Sequence, residues 1–206
     1  MKRIITISRE FGSGGRELGK RLSQALGIPC YDQQIIELVA EKEKLDKNYV
    51  AEMSERDINA FYPATIARGF YRSGYTVLQP TQVMSAEHEI IRKLAEEGEG
   101  VFVGRAADIV LEDLQPLRIF VCANEEARVA RCRARAAEGE QLSDKELLKK
   151  CRALDRRRAD YRALFTDIAW GKAEGYDICI NTSGKSIKAL VPALAALAES
   201  WFAPEA

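Results

Sequence analysis

Residues 4–32 leave this chain few ways to fold. Ile4-Ile5-Thr6-Ile7 is a β-branched run without polar alternation, the pattern of a strand covered on both faces. It leads through Phe11 into Gly12-Ser13-Gly14-Gly15, after which Leu18, Leu22, Ala25 and Leu26 recur at helical spacing. Gly27 closes the helix, and Ile28-Pro29-Cys30-Tyr31 reads as a second short strand running into Asp32. Strands joined through a helix run parallel, and a parallel sheet needs helices over both faces.

The rest of the chain repeats the theme. Short apolar runs at 3–8, 28–31, 100–104, 117–122 and 177–181 predict five strands. Helical patterns lie between them at 81–97, 124–137, 143 to about 164, and 186–201. Asn124 is a natural N-cap, and Ser143-Asp144-Lys145-Glu146 is a capping box. The expectation is an α/β fold with a five-stranded parallel sheet, built as one domain over residues 1–206. Two stretches exceed a minimal crossover, 33–80 and 138–176; the first is broken at Tyr62-Pro63, Gly69, Gly74 and Gln79-Pro80.

Thirty-one basic and thirty-one acidic residues cancel, so no overall field favours nucleic acid or an anionic membrane. Ala189–Leu197, the longest apolar stretch, is too short to span a bilayer, and the N-terminus reads as a strand rather than a signal peptide. Five dispersed cysteines (30, 122, 132, 151, 179) suggest reduced thiols, mostly buried, in a cytoplasmic protein. His88, the single histidine, has no cysteine near it, and no metal site is expected from the chain's own ligands.

Gly12, Ser13, Gly14 and Gly15 before a helix form a backbone cradle for an anion, the opening of a P-loop nucleotide-binding unit. Arg16 and Glu17 complete the candidate phosphate-binding set. A dinucleotide fingerprint would share Gly12 and Gly14, but Glu17 stands at its third glycine and Asp32 comes too early for its ribose carboxylate. A glycine turn without a ligand needs one or two glycines rather than three.

The stretch from Ile5 to Glu17, continued by Leu26-Gly27-Ile28-Pro29-Cys30-Tyr31-Asp32, resembles the start of the cytidylate kinase-like family. The likeness continues in Val101-Phe102-Val103-Gly104-Arg105, in Leu117–Val121 with Glu125-Glu126-Ala127-Arg128, in Asp155–Arg162 and in Tyr176–Ser183. It implies a three-layer P-loop NTPase fold, with 33–80 as an acceptor-binding insertion and 138–176 as a lid. It also implies an enzyme that moves the γ-phosphoryl of ATP, with Mg²⁺, to CMP, dCMP or another small acceptor. On that basis Asp32, Arg105 and Asp108 face the acceptor, while Arg16, Arg158, Arg162 and Asp155 carry catalysis.

The loop departs from G-x-x-x-x-G-K-[ST]. Without a gap, Arg9 stands at the first glycine, Gly15 at the lysine and Arg16 at the hydroxyl residue; a one-residue slip puts Arg16 on the lysine and Glu17 at the metal position. Arginine can still neutralise and fork onto phosphate. In the lid, Asp155, Arg158 and Arg162 share a helix face, which suits either closure over phosphates or a solvated charged helix. Asp32 is followed by Gln33-Gln34, and Gly104-Arg105 by Ala106, where true cytidylate kinases differ. The rival function is a nucleotide-binding regulatory or interaction protein with little transfer activity.

Overall fold

The computed structural model describes residues 2–44, 80–135 and 142–204. Five parallel strands, β1 (Ile4–Arg9), β2 (Cys30–Tyr31), β3 (Gly100–Val103), β4 (Leu117–Cys122) and β5 (Ile178–Asn181), pair in the order β2-β3-β1-β4-β5. The described α-helices are α1 (Gly15–Leu26), α2 (Gln33–Lys42), α3 (Pro80–Glu97), α4 (Ala107–Val110), α5 (Glu125–Ala134), α6 (Asp144–Ala163) and α7 (Ile187–Trp201). Strand β1 is central, which is why it carries no polar alternation: both of its faces are covered.

Alternation along the sheet divides the core into two. Ile5, Ile7, Val101, Val103, Ile119 and Val121 meet Leu18, Leu22 and Leu26 of α1 and Val191 of α7. Ile4 and Phe102 face Ile35 and Val39 of α2, Val83 and Ile91 of α3, and Leu111. Burial of a Leu or Ile side chain contributes roughly 1.5–3 kcal/mol, so these layers fix the sheet before any polar contact is counted.

The three-layer α/β expectation and the five strands agree with this architecture. Strand ends move slightly: β2 holds only Cys30–Tyr31, and β3 stops at Val103. Pro80 opens α3, one residue ahead of the expected helix start at 81. The sequence breaks at Tyr62-Pro63, Gly69, Gly74 and Gln79, and residues 138–141 of the expected lid, lie outside the described residues. The expectation of mostly buried cysteines is corrected: only Cys151 is buried, Cys30, Cys122 and Cys132 are half-buried, and Cys179 is exposed. Cys179 lies on edge strand β5, where alternate residues face out. Among the described residues no helix is long and apolar enough to cross a membrane.

Candidate active site

The C-terminal ends of β1, β3 and β4 lie side by side, and the chain turns sharply after each. After β1, Gly12 and Gly14 adopt φ of 79° and 87°, values a side chain resists, and Gly14 caps α1. The first bond within α1 runs from Leu18 N–H to the Gly14 carbonyl, at 2.9 Å. The preceding amides therefore point out of the helix end, the arrangement that binds anions. Ser13 turns inward: it is fully buried and its hydroxyl donates to the Glu10 carbonyl at 2.8 Å. Thr182 braces the loop from beneath, donating to the Ser13 carbonyl at 2.7 Å.

After β3, Gly104, Arg105 and Ala106 all have positive φ, at 79°, 58° and 50°. Two consecutive non-glycine residues in that region cost on the order of 1–3 kcal/mol each, strain that clusters at functional sites. The turn aims Arg105 at Glu87, a completely buried carboxylate of α3. The Tyr161 hydroxyl donates to the other oxygen of Glu87 at 3.3 Å, and His88 Nε2 lies 3.1 Å from that hydroxyl. With its one proton directed to Glu87, Tyr161 accepts from His88, which places the imidazole proton on Nε2. Burial, then the Glu87 charge, pushes the Tyr161 phenol well above its ordinary range.

Helix α6 crosses these strand ends and is tied down by ion pairs. Asp155 accepts from the Phe11 N–H at 2.7 Å and from the buried Arg128 of α5, whose Nε donates to the Phe11 carbonyl at 2.7 Å. Burial pushes the Asp155 carboxyl up, against those donors. Arg158 Nη1 donates to the Arg9 carbonyl at 3.0 Å, and its head lies 5.7 Å from the Phe11 ring centre. Arg162 is inside the protein, donating through Nε and Nη2 to Asp108 at 3.0 and 2.9 Å and through Nη1 to the Ile168 carbonyl at 2.6 Å.

Two cavities result. A cleft of about 590 Å³ is lined by the glycine loop, by Arg9, Arg16, Arg105, Arg131, Arg135, Arg158 and Lys150, and by the carboxylates Glu10 and Asp32. Seven cations and two carboxylates line it; Glu87, Glu17 and Asp155 offset Arg105, Arg135 and Arg158 from outside the lining, which leaves a smaller positive excess on a chain of zero net charge. A smaller cavity of about 70 Å³ adjoins it, between Glu87, Tyr161, Arg162 and Trp170. Arg9, Arg105 and Arg158 line both.

Of the residues singled out in the sequence, Gly12, Gly14, Gly15, Arg16, Asp32, Arg105 and Arg158 come together on the cleft. Ser13 and Asp155 lie beneath the loop, and Glu17 is engaged by Arg21 and Arg135 at 2.9 and 2.5 Å. Asp108 and Arg162 meet each other, 2% and 3% exposed at their side chains. Glu87, Lys150 and the anchoring role of Arg128 escaped the sequence reading. Glu87 left one signal: it lies at i+4 from Val83, within the apolar stripe of α3.

A magnesium ion that arrives on nucleotide phosphates needs one or two carboxylates rather than a protein cage. Among the described residues no cluster of three or more metal-ligating side chains exists. Asp32 fits the lesser need: its Oδ2 is buried, pairs with Arg16 in charge, and receives no aligned hydrogen bond.

A model of the cytidylate kinase-like family matches residues 4–184. No curated protein matches the chain. Among solved structures, it is similar to an uncharacterized protein from Eubacterium ventriosum, with TM-score 0.70, 23% identity and 97% and 99% of the two chains covered. It is also similar to a shikimate kinase from Bacteroides thetaiotaomicron, with TM-score 0.57, 16% identity and 97% and 99% coverage. A shikimate kinase from Acinetobacter baumannii, in complex with shikimate, gives TM-score 0.55, 14% identity and 99% and 96% coverage. At these identities the likeness is one of fold.

Proposed function

The chain belongs to the cytidylate kinase-like family, and on that premise we propose that it is a phosphotransferase moving the γ-phosphoryl of ATP to a small acceptor, a nucleoside monophosphate such as CMP or dCMP first among them. The observation that carries this reading is the cleft of about 590 Å³ at the glycine loop, lined by Arg9, Arg105 and Arg158 together with Asp32. Donor and acceptor need cations where they meet, because phosphoryl transfer is won by positioning and charge. Gly12–Gly15, the N-terminal end of α1, Arg16, Arg135 and Lys150 hold the donor phosphates, and Arg131 braces the loop by donating to the Ser13 and Thr182 carbonyls. Arg105 and Asp32 face the acceptor, and Arg158 lies over the transferring group. Mg²⁺, when bound with the nucleotide, neutralises phosphate charge, and Asp32 is the residue that would hold it.

Asp155 and Arg162 act one step back. Asp155 fixes the glycine loop through Phe11, and Arg162 with Asp108 seats the far end of α6, so both are positioning residues. We propose residues 33–80 as the acceptor-binding segment and 138–176 as the lid of a single unit. The second reading, nucleotide binding with little transfer, has one observation in its favour: Arg16 stands where the pattern has its metal-binding hydroxyl, and it pairs with Asp32.

Thermal melts with ATP–Mg²⁺, with CMP or dCMP, and with both test the proposal. A ligand at a hundred times its Kd adds about 2.7 kcal/mol of stability, so a shift with ATP that one acceptor enlarges is the expected result. Under turnover, Arg158→Ala should lower kcat more than it raises KM. A shift with ATP but no transfer to any acceptor selects the second reading; no shift with any nucleotide removes both.

A further inference from the structure

The glycine loop breaks its pattern at two positions, and the two breaks meet in space. Residue 9 is arginine where the pattern has its first glycine, and residue 15 is glycine where it has lysine. A Cβ placed on Gly15 would overlap the Arg9 Cβ and lie 3.0 Å from its Cγ and 3.3 Å from the Val121 Cβ. The two positions therefore share room for one side-chain stem. The head of Arg9 makes the same demand farther out: a Cβ on Gly104 would overlap Nη1 and come within 2.8 Å of Cζ. Arg9 thus runs along a channel walled by Gly15 at its stem and Gly104 at its guanidinium. It ends 3.9 Å from Asp32, 17% exposed, facing both cavities.

We infer that the loop's cation has been exchanged rather than lost: Arg9, entering from the end of β1, binds the donor polyphosphate in place of a lysine entering from the first turn of α1. The inference rests on the nucleotide-binding reading above and names the residue that makes it work. Position supports the exchange. Arg9 is held in register with Val121 across the sheet, and Arg158 secures its carbonyl, so the charge is carried by the central strand of the sheet. Chemistry supports it as well, since a guanidinium stays charged and offers two parallel donors to phosphate oxygens. The exchange also explains why Gly15 tolerates no side chain here, and why residue 104 is glycine beside a site full of long side chains.

The test is a swap. Calorimetric titrations with ATP–Mg²⁺ and with inorganic tripolyphosphate, and melts without ligand, are run on the wild type, Arg9→Gly, Arg9→Gln, Gly15→Lys and the double variant Arg9→Gly/Gly15→Lys. Gly15→Lys alone should melt lower, because two stems collide. Arg9→Gly and Arg9→Gln should lose about ten-fold or more in affinity for both probes. The double variant should recover the melting temperature and return to within about three-fold of wild-type affinity. Undiminished affinity in Arg9→Gln, for whichever probe the wild type binds, overturns the inference and leaves the kinase reading standing. So does a folded double variant that recovers no affinity. A wild type that binds tripolyphosphate through Arg9 but not ATP keeps the inference and removes the nucleotide reading; binding of neither removes both.

Discussion

Asp108 and Arg162 illustrate how much one pair can decide. Their side chains are 2% and 3% exposed, and Asp108 Oδ1 has no hydrogen bond at all, so the carboxylate depends on Arg162 for its charge balance. Arg162→Met should cost about 3–5 kcal/mol in urea unfolding, because it strands a buried charge. Arg162→Met/Asp108→Leu should recover part of that loss. His88 offers a second reading at this scale. Burial holds its imidazole below the ordinary 6.5. The folded protein then binds fewer protons than the unfolded chain between the two values, so stability rises with pH through that window. The contribution is whole above 6.5 and is lost as the pH falls through the folded value. As His88 is the only histidine, the fall in melting temperature between about pH 7 and 5.5 should be smaller in His88→Gln.

At the scale of elements, α6 is the unusual one. Its only buried apolar residues are Leu147 and Cys151, while Asp155 and Arg162 are buried with them. A capping box at Ser143 and Glu146 begins it, and directional contacts hold the rest: Arg152 to Glu125, Asp155 to Phe11 and Arg128, Arg158 to the end of β1. A helix attached in this way transmits its position to the glycine loop. Asp155→Asn keeps the shape but removes the charge that balances Arg128, so it should lower the unfolding free energy by roughly 2 kcal/mol. Hydrogen exchange at the Phe11 amide should quicken in the same variant. An unchanged Phe11 amide would mean that the loop holds its shape without α6.

Across the whole molecule, the deciding fact is where the sheet gathers charge. The chain is neutral, yet the order β2-β3-β1-β4-β5 sets the ends of β3, β1 and β4 next to one another, and the seven cleft cations collect around them. Parallel strands send all their loops after the C-terminal ends to one edge, so residues as distant in sequence as Arg9, Arg105 and Arg158 share a rim. Such a basin attracts a polyanion and gives a neutral or cationic ligand no advantage. The chain's net charge, zero, says nothing of it.

Local chemistry made the fold legible. β-Branched runs, glycine stops, the Asn124 cap and the Ser143 box act within a few residues, and each acts in the structure where the sequence places it. The glycine loop was readable for the same reason, since a positive φ at Gly12 and Gly14 is a property of the residue itself. The arginines were not. Their heads lie several bonds from the backbone, so lining the cleft, as Arg131 and Arg135 do, or closing on a buried aspartate, as Arg162 does, depends on which partner folding delivers. Helical spacing puts Arg158 and Arg162 on one face of α6, and tertiary packing sends one to the cleft and the other into the interior. Arg9 and Gly15 show the same division: sequence displays two broken positions, and only their contact in space reveals one shared volume.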